Sequence, residues 1–269
     1  LEFRRVLFRS FNMLDPVVGG GADTAARESA RKLRQAISIA VDYEEFISIF
    51  QNGRGIPAQS PLPPGIFGFR EGAAGINPVV YDWVDGRPRR KPVEAAKKLL
   101  AEAGYPNGFA MTVSAPNDRY INDDQVAQAV AQMLSRIGIK CAVEAMPFNV
   151  YLSKARDQQF SFAMLGWGSY AADLALRALL MTPNTDKGTG AWNWGRYSNP
   201  KMDSLVEAAL DTTDDAKREA IAREAAALAA SDVAIIPLYH QKVTWAMKKT
   251  IKYTARTDER SLAQFFQPQ

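Results

Sequence analysis

FAMTVSAPNDRYINDDQVAQAVAQMLSRIGIKCAVEAMPFNVYLSKARDQQFSFAMLGW, residues Phe109–Trp167, decides the fold class. Phe109 to Ala115 reads as a strand. Asn122 can cap a helix that runs to Ile137, where Gly138 stops it. Ile139 to Met146 alternates in part between apolar and polar residues, which is a strand pattern. A short helix follows over Val150 to Asp157, and the apolar run Phe160 to Trp167 is a third strand. Strands separated by helices predict a single sheet covered by helices, an α/β fold.

Outward from this unit the pattern continues. Leu33, Ala36, Ile37, Ala40 and Val41 recur every three or four residues within a helical stretch from Ala25 to Phe50. Asp42 with Glu45 three residues on resembles a capping box and starts a second helix there. Ile56 to Arg90 carries prolines at 57, 61, 63, 64, 78 and 88, so it reads as an irregular but ordered excursion. Pro92 to Ala103 is a helix with proline in its first turn and Gly104 closing it. Asn199-Pro200 opens a further helix, and Thr213 to Ala230 is another. Val233 to Leu238 is a buried-type strand, and Lys242 to Tyr253 reads as a strand pair.

Composition narrows the function classes. Of 269 residues, 47% are hydrophobic and 23% charged, enough apolar material for a buried core. The formal net charge of +4 comes without a basic run interleaved with aromatics, which argues against nucleic acid as a partner. One cysteine, Cys141, and one histidine, His240, cannot supply a usual zinc site. No cofactor motif stands out. No Gly-x-Ser-x-Gly elbow accompanies His240, so no catalytic residue is assigned. No apolar run reaches the roughly 18 residues of a membrane span. Leu1–Ser10, LEFRRVLFRS, mixes basic and apolar residues and fits neither a signal peptide nor its continuation. It reads as a non-native leader outside the fold, with the native chain expected to begin upstream.

Four groups of motifs, in order, resemble the family 5 extracellular solute-binding proteins, which include dipeptide- and oligopeptide-binding proteins. The first is Phe11-Asn12 followed by KLRQAISIAVDYEEFI, Lys32 to Ile47. The second joins GIPAQSPLPPG, Gly55 to Gly65, to KPVEAAKKLLAEAGYPNG, Lys91 to Gly108. GWGSYAAD, Gly166 to Asp173, is the third. NWGRYSNPKMDSLVEAA, Asn193 to Ala209, and AIIPLYH, Ala234 to His240, complete the set. The resemblance implies the second lobe of a two-lobed periplasmic-binding-protein fold of class II type, with the first lobe largely absent. On that basis residues 1–10 are the leader, 11–31 a crossing segment, 32–238 the α/β lobe, and 239–269 a return segment that packs on the first lobe. It also implies a non-enzymatic component of an ABC importer, periplasmic or extracellular, and membrane-associated in a Gram-positive host. Its partners would be a peptide or other small-solute ligand and the ABC transporter permease subunits. Membrane contact would come only through the transporter or a lipid anchor. Phe265 and Phe266 in the tail should be exposed without the partner lobe.

The site residues follow from the third and fourth motifs. Peptide-binding members read Gly-Trp-x-x-Asp-x-x-Asp-Pro, the first Asp holding the ligand amine. Here Tyr170 stands at that position, Asp173 matches the second Asp, and Leu174 replaces the proline. The expected ligand-binding set is Trp167, Tyr170, Asp173, Trp192 and Asn193. Each has a plainer alternative. Asp173 caps a helix equally well, the tryptophans serve equally as core, and a loop asparagine often bonds its own backbone. Glycines 166 and 168 would let a ligand approach the backbone. His240 is expected to be a structural hydrogen bonder, Arg34 a helix anchor, and Cys141 a small buried hydrophobe. An oligosaccharide-binding member is the alternative within the family. A hydrolase, or a functionally silent fragment of a binding protein, are the alternatives outside this reading.

Overall fold

The computed structural model describes residues 3–20, 24–50, 55–60, 62, 69, 75–168, 172–242, 245–254 and 261–269. Among these, a six-stranded sheet carries the architecture. Its strands are β1 (Phe3–Phe11), β2 (Gly55–Pro57), β5 (Ala110–Pro116), β6 (Lys140–Met146), β7 (Phe162–Gly168) and β8 (Ile235–Lys242), in the order β2-β8-β1-β7-β5-β6. β7, β5 and β6 run parallel, while β1 is antiparallel to both β7 and β8. The three expected strands do share one sheet. Between them lie α4 (Asp123–Ser135) and α5 (Phe148–Arg156), and α6 (Ala172–Leu179) follows.

Period two along the strands sorts side chains to two cores. In β7, Phe162 and Met164 enter one core while Ala163 and Leu165 enter the other. The first core is closed by α1 (Thr24–Ala40), α2 (Tyr43–Phe50), α3 (Val93–Glu102) and α4, through residues such as Leu33, Ile37, Phe46, Leu100 and Val130. The second is closed by α5, α6, α7 (Pro200–Asp211) and α8 (Asp215–Asp232), through Tyr151, Leu176, Val206 and Ala225. In α4, Val126, Ala127, Val130, Met133 and Leu134 recur at helical spacing and all are buried. Asp42 caps α2, its carboxylate accepting the N–H groups of Glu44 and Glu45 at 3.1 and 3.0 Å. Asn199 caps α7 through the N–H of Lys201.

Several expectations are corrected. Residues 3–10 do not lie outside the fold: they form most of β1, an interior strand with partners on both sides. The alternation of its residues sends Leu7 to one core and Phe8 to the other, which is what a central strand needs. The lobe therefore extends beyond 32–238 at both ends. Asn12 and Met13, expected in a crossing segment, are fastened to the lobe by backbone bonds to Ser161 and Gly195. Within the proline-rich excursion, Tyr81–Val84 (β3) and Arg87–Arg90 (β4) form a hairpin around Asp85-Gly86, both at positive φ. Pro88 is tolerated because this two-stranded ribbon has only edges. Lys242 to Tyr253 is not a strand pair: residues 245–250 have no strand, and β9 (Ile251–Tyr253) pairs instead with β10 (Phe266–Pro268).

Candidate ligand-binding face

Because β5, β6 and β7 are parallel, their last residues Pro116, Met146 and Gly168 line one edge of the sheet. The N-termini of α4, α5 and α6 point to the same edge, where ligands gather in open α/β sheets. β1 enters the sheet there, since Arg5 pairs with Gly168, and β8 leaves it there.

Trp167 is half-buried at this edge, and its ring meets Trp192 edge-on at 5.4 Å. Trp192 lies 5.4 Å from Trp194, which in turn meets Tyr151 at 6.3 Å. The aromatic array thus runs from the edge into the second core. Trp167 Nε1 is buried with no hydrogen-bond partner among the described residues, a donor left open on an otherwise packed ring. Asp173 lies in the first turn of α6, not at its N-cap position, and among the described residues its carboxylate accepts only the N–H of Leu174. A negative charge there suits the helix dipole. Tyr170 lies outside the described residues.

Asn193 is not available to a ligand. Its amide nitrogen donates to the carbonyls of Met181 and Tyr197 at 2.9 and 2.7 Å, and its oxygen accepts the N–H of Tyr197. It locks its own loop, the plainer of the two readings. Gly166 admits no ligand either. A Cβ there would come within 2.6 Å of the Tyr120 ring, whose hydroxyl accepts the Gly166 N–H at 2.9 Å. What approaches the glycine is protein.

The loop after β5 supplies residues that sequence reasoning missed. The buried Asp123 carboxylate accepts the N–H groups of Arg119 and Tyr120 at 3.0 and 2.9 Å and so shapes this loop. Asp118 accepts the N–H of Phe148 at 2.7 Å and ties the loop to α5. The exposed Arg119 guanidinium then lies over two rings, 5.5 Å from Tyr120 and 5.3 Å from Phe148. Among the described residues no carboxylate pairs with it. Its charge is held in place by cation–π contacts and left open to an anion. The sequence could single out the loop, though not the role of Arg119 within it. The rule that singles out the loop after one parallel strand applies equally to the loop after its neighbour. Around these groups, Ile121, Val150 and Leu174 are 55%, 47% and 50% exposed. Three large apolar side chains on one rim mark a surface built to be covered.

Other expectations can be placed. Arg34 anchors α1 as expected, donating to the carbonyls of Val18, Asp232 and Val233. Cys141 is half-buried, and burial pushes its thiol up to about 11. His240 does not act as the expected hydrogen bonder: it is sealed from solvent and neither ring nitrogen has a partner among the described residues. No group of three or more His, Cys, Asp or Glu side chains among the described residues could hold a metal ion.

A mixed α/β lobe with aromatic, cationic and exposed apolar side chains on the carboxyl edge of its sheet is the architecture of a periplasmic-binding-protein lobe. The sequence profile of the bacterial extracellular solute-binding proteins, family 5 Middle, matches residues 5–187, and this chain belongs to that family. It is 28% identical over 219 residues to heme-binding protein A of Haemophilus influenzae, covering 78% of this chain and 36% of that protein. Glutathione-binding protein GsiB of Escherichia coli K12 is 28% identical over 227 residues, covering 82% and 41%. The chain thus spans well under half the length of these curated relatives. HbpA2 from Haemophilus parasuis shares the fold with a TM-score of 0.79 at 19% identity, over 100% of this chain and 49% of that one. So does a dipeptide-binding protein from Pseudoalteromonas sp. SM9913 in complex with Met-Leu, with a TM-score of 0.77 at 22% identity, over 100% and 49%.

Proposed function

We propose that this chain forms one wall of the ligand cleft in the solute-binding component of an ABC importer. The cleft takes a peptide or related small solute bearing a carboxylate. The observation that carries the reading is Arg119: an open guanidinium, fixed between two rings, at the edge where Trp167 and Trp192 offer aromatic surface. Trp167, Tyr170, Asp173 and Trp192 remain the proposed contacts, and Asn193 supports them from behind. A second lobe closing over Ile121, Val150 and Leu174 would exclude water and strengthen the ion pair. The protein containing this lobe would act outside the cytoplasm, in the periplasm or held at the surface of a Gram-positive cell, and would dock on permease subunits. The β9–β10 hairpin would pack on the first lobe, which fits Phe266 being 39% exposed. Catalysis is disfavoured by a buried histidine with no partner among the described residues.

The test is calorimetry on the two-lobed protein with free, N-blocked and C-amidated peptides and with short oligosaccharides. Arg119→Gln should weaken free peptides about ten- to a hundredfold, the worth of a charge-assisted bond. It should change C-amidated peptides little. Equal loss for both peptide types would remove Arg119 from the site, and binding confined to oligosaccharides would replace the peptide reading.

A further inference from the structure

At the rim opposite the carboxyl edge, a concave cavity of about 360 Å³ opens between the end of α5 and the loop of residues 183–196. α5 starts at the carboxyl edge, so its last residue, Arg156, reaches the far end, beside Gln158 just before β7. Arg196 closes the other side, and Trp194 supplies an apolar wall. No carboxylate lines the cavity, and neither guanidinium has a hydrogen-bond or ion-pair partner among the described residues.

The loop is rigid for a reason internal to it. Asn184 and Thr189 exchange both backbone hydrogen bonds, Thr189 Oγ1 donates to the carbonyl of Thr182, and Asn193 ties residues 181 and 197 together. Arg196 is held at φ 56, a conformation that side chains other than glycine rarely adopt. Two like charges are therefore carried on fixed backbone around one hollow that no carboxylate lines. An anion seated in the hollow can receive donors from both guanidiniums.

We propose that this cavity is a second binding site, separate from the ligand face, for a small oxyanion held between Arg156 and Arg196. The cavity suits an anion with a short apolar part against Trp194, such as a small dicarboxylate, as well as free phosphate. The test uses the 269-residue chain with inorganic phosphate and with succinate as probes, in low-salt calorimetry, alongside the indole resonance of Trp194. Saturable binding that moves the Trp194 resonance, and that falls about tenfold or more in Arg156→Gln and in Arg196→Gln, is the expected result. Arg196→Lys, which keeps the charge but not the planar fork, should lose less binding than Arg196→Gln. Tighter binding of succinate than of phosphate would assign the site to carboxylates, and the reverse to phosphate. The exposed hairpin variants Arg87→Gln and Arg89→Gln serve as controls and should bind like wild type. No saturable binding at millimolar probe, or an equal loss in the hairpin controls, would overturn the proposal.

Discussion

At the scale of single residues, two buried polar groups stand out. Arg9 lies fully buried in β1 with one hydrogen bond, from Nη1 to the carbonyl of Ser114 at 3.0 Å. Its Nε and Nη2 have no partner among the described residues, and the Phe162 ring lies 5.6 Å from its guanidinium. Burial lowers its pKa to about 10. A desolvated cation so poorly compensated costs stability, and apolar replacement of such a group commonly gains about 1–4 kcal/mol. Arg9→Met should accordingly raise the urea midpoint without altering the slope; a lower midpoint would show that the guanidinium is well compensated. His240 is the second case. Burial lowers its pKa from 6.5 to about 3. The folded state thus binds its proton more weakly than the unfolded chain. The neutral ring's contribution is whole above about pH 6.5 and is lost progressively as pH falls toward 3, by at most about 1.4 kcal/mol per unit. His240→Leu should flatten the fall in stability between pH 6.5 and 4 relative to wild type. An unchanged slope would mean that the ring titrates alike in the folded and unfolded chain.

Elements were legible where period and punctuation agreed, and illegible where tertiary pairing decided. The β5-α4-β6-α5-β7 unit followed from alternation, from the stripe Val126 to Leu134 and from Gly138, which takes φ 87 in the turn before β6. β1 was missed because its charged residues gave no apolar run, and only pairing with β7 and β8 makes it a strand. The β3–β4 hairpin was missed although Asp85-Gly86 is a strong turn signal, because the nearby prolines dominated the reading. At the site, the exit loop of β7 was legible and that of β5 was not, since Arg119 acquires meaning only when Tyr120 and Phe148 flank it in space. Asp123 is the residue that brings this about. Asp123→Ala should cost about 2–4 kcal/mol, because the N–H groups of Arg119, Tyr120 and Asp124 lose a buried acceptor. Hydrogen exchange should quicken most at Arg119 and Tyr120. Unchanged protection at those two amides would show that the loop holds its shape without the carboxylate.

For the whole molecule, the division is between a packed lobe and a loose appendage. β9 and β10 pair only with each other, and no described residue in either is buried. Their cohesion comes from Tyr253 stacked on Phe266 at 4.5 Å and Trp245 tilted against Tyr253 at 5.5 Å. An isolated two-stranded ribbon of this kind is marginal in water. Trypsin should therefore cut first at the exposed Lys248, Lys249 and Lys252, leaving the remainder resistant with its thermal transition unchanged. Initial cleavage within α4 or α8 would contradict this division. The placement of β1 also bears on how the chain comes to fold. Phe3 pairs with Lys242 and Ser10 with Ile235, so one side of an interior strand waits for a segment far along the chain. Loop closure over that span adds entropy cost before any contact is gained, and pairings remote in sequence slow folding. During translation the ladder edge of β1 that β8 will occupy stays open, with apolar Leu7 and Phe8 beside it, inviting a neighbouring nascent chain to take the vacant place.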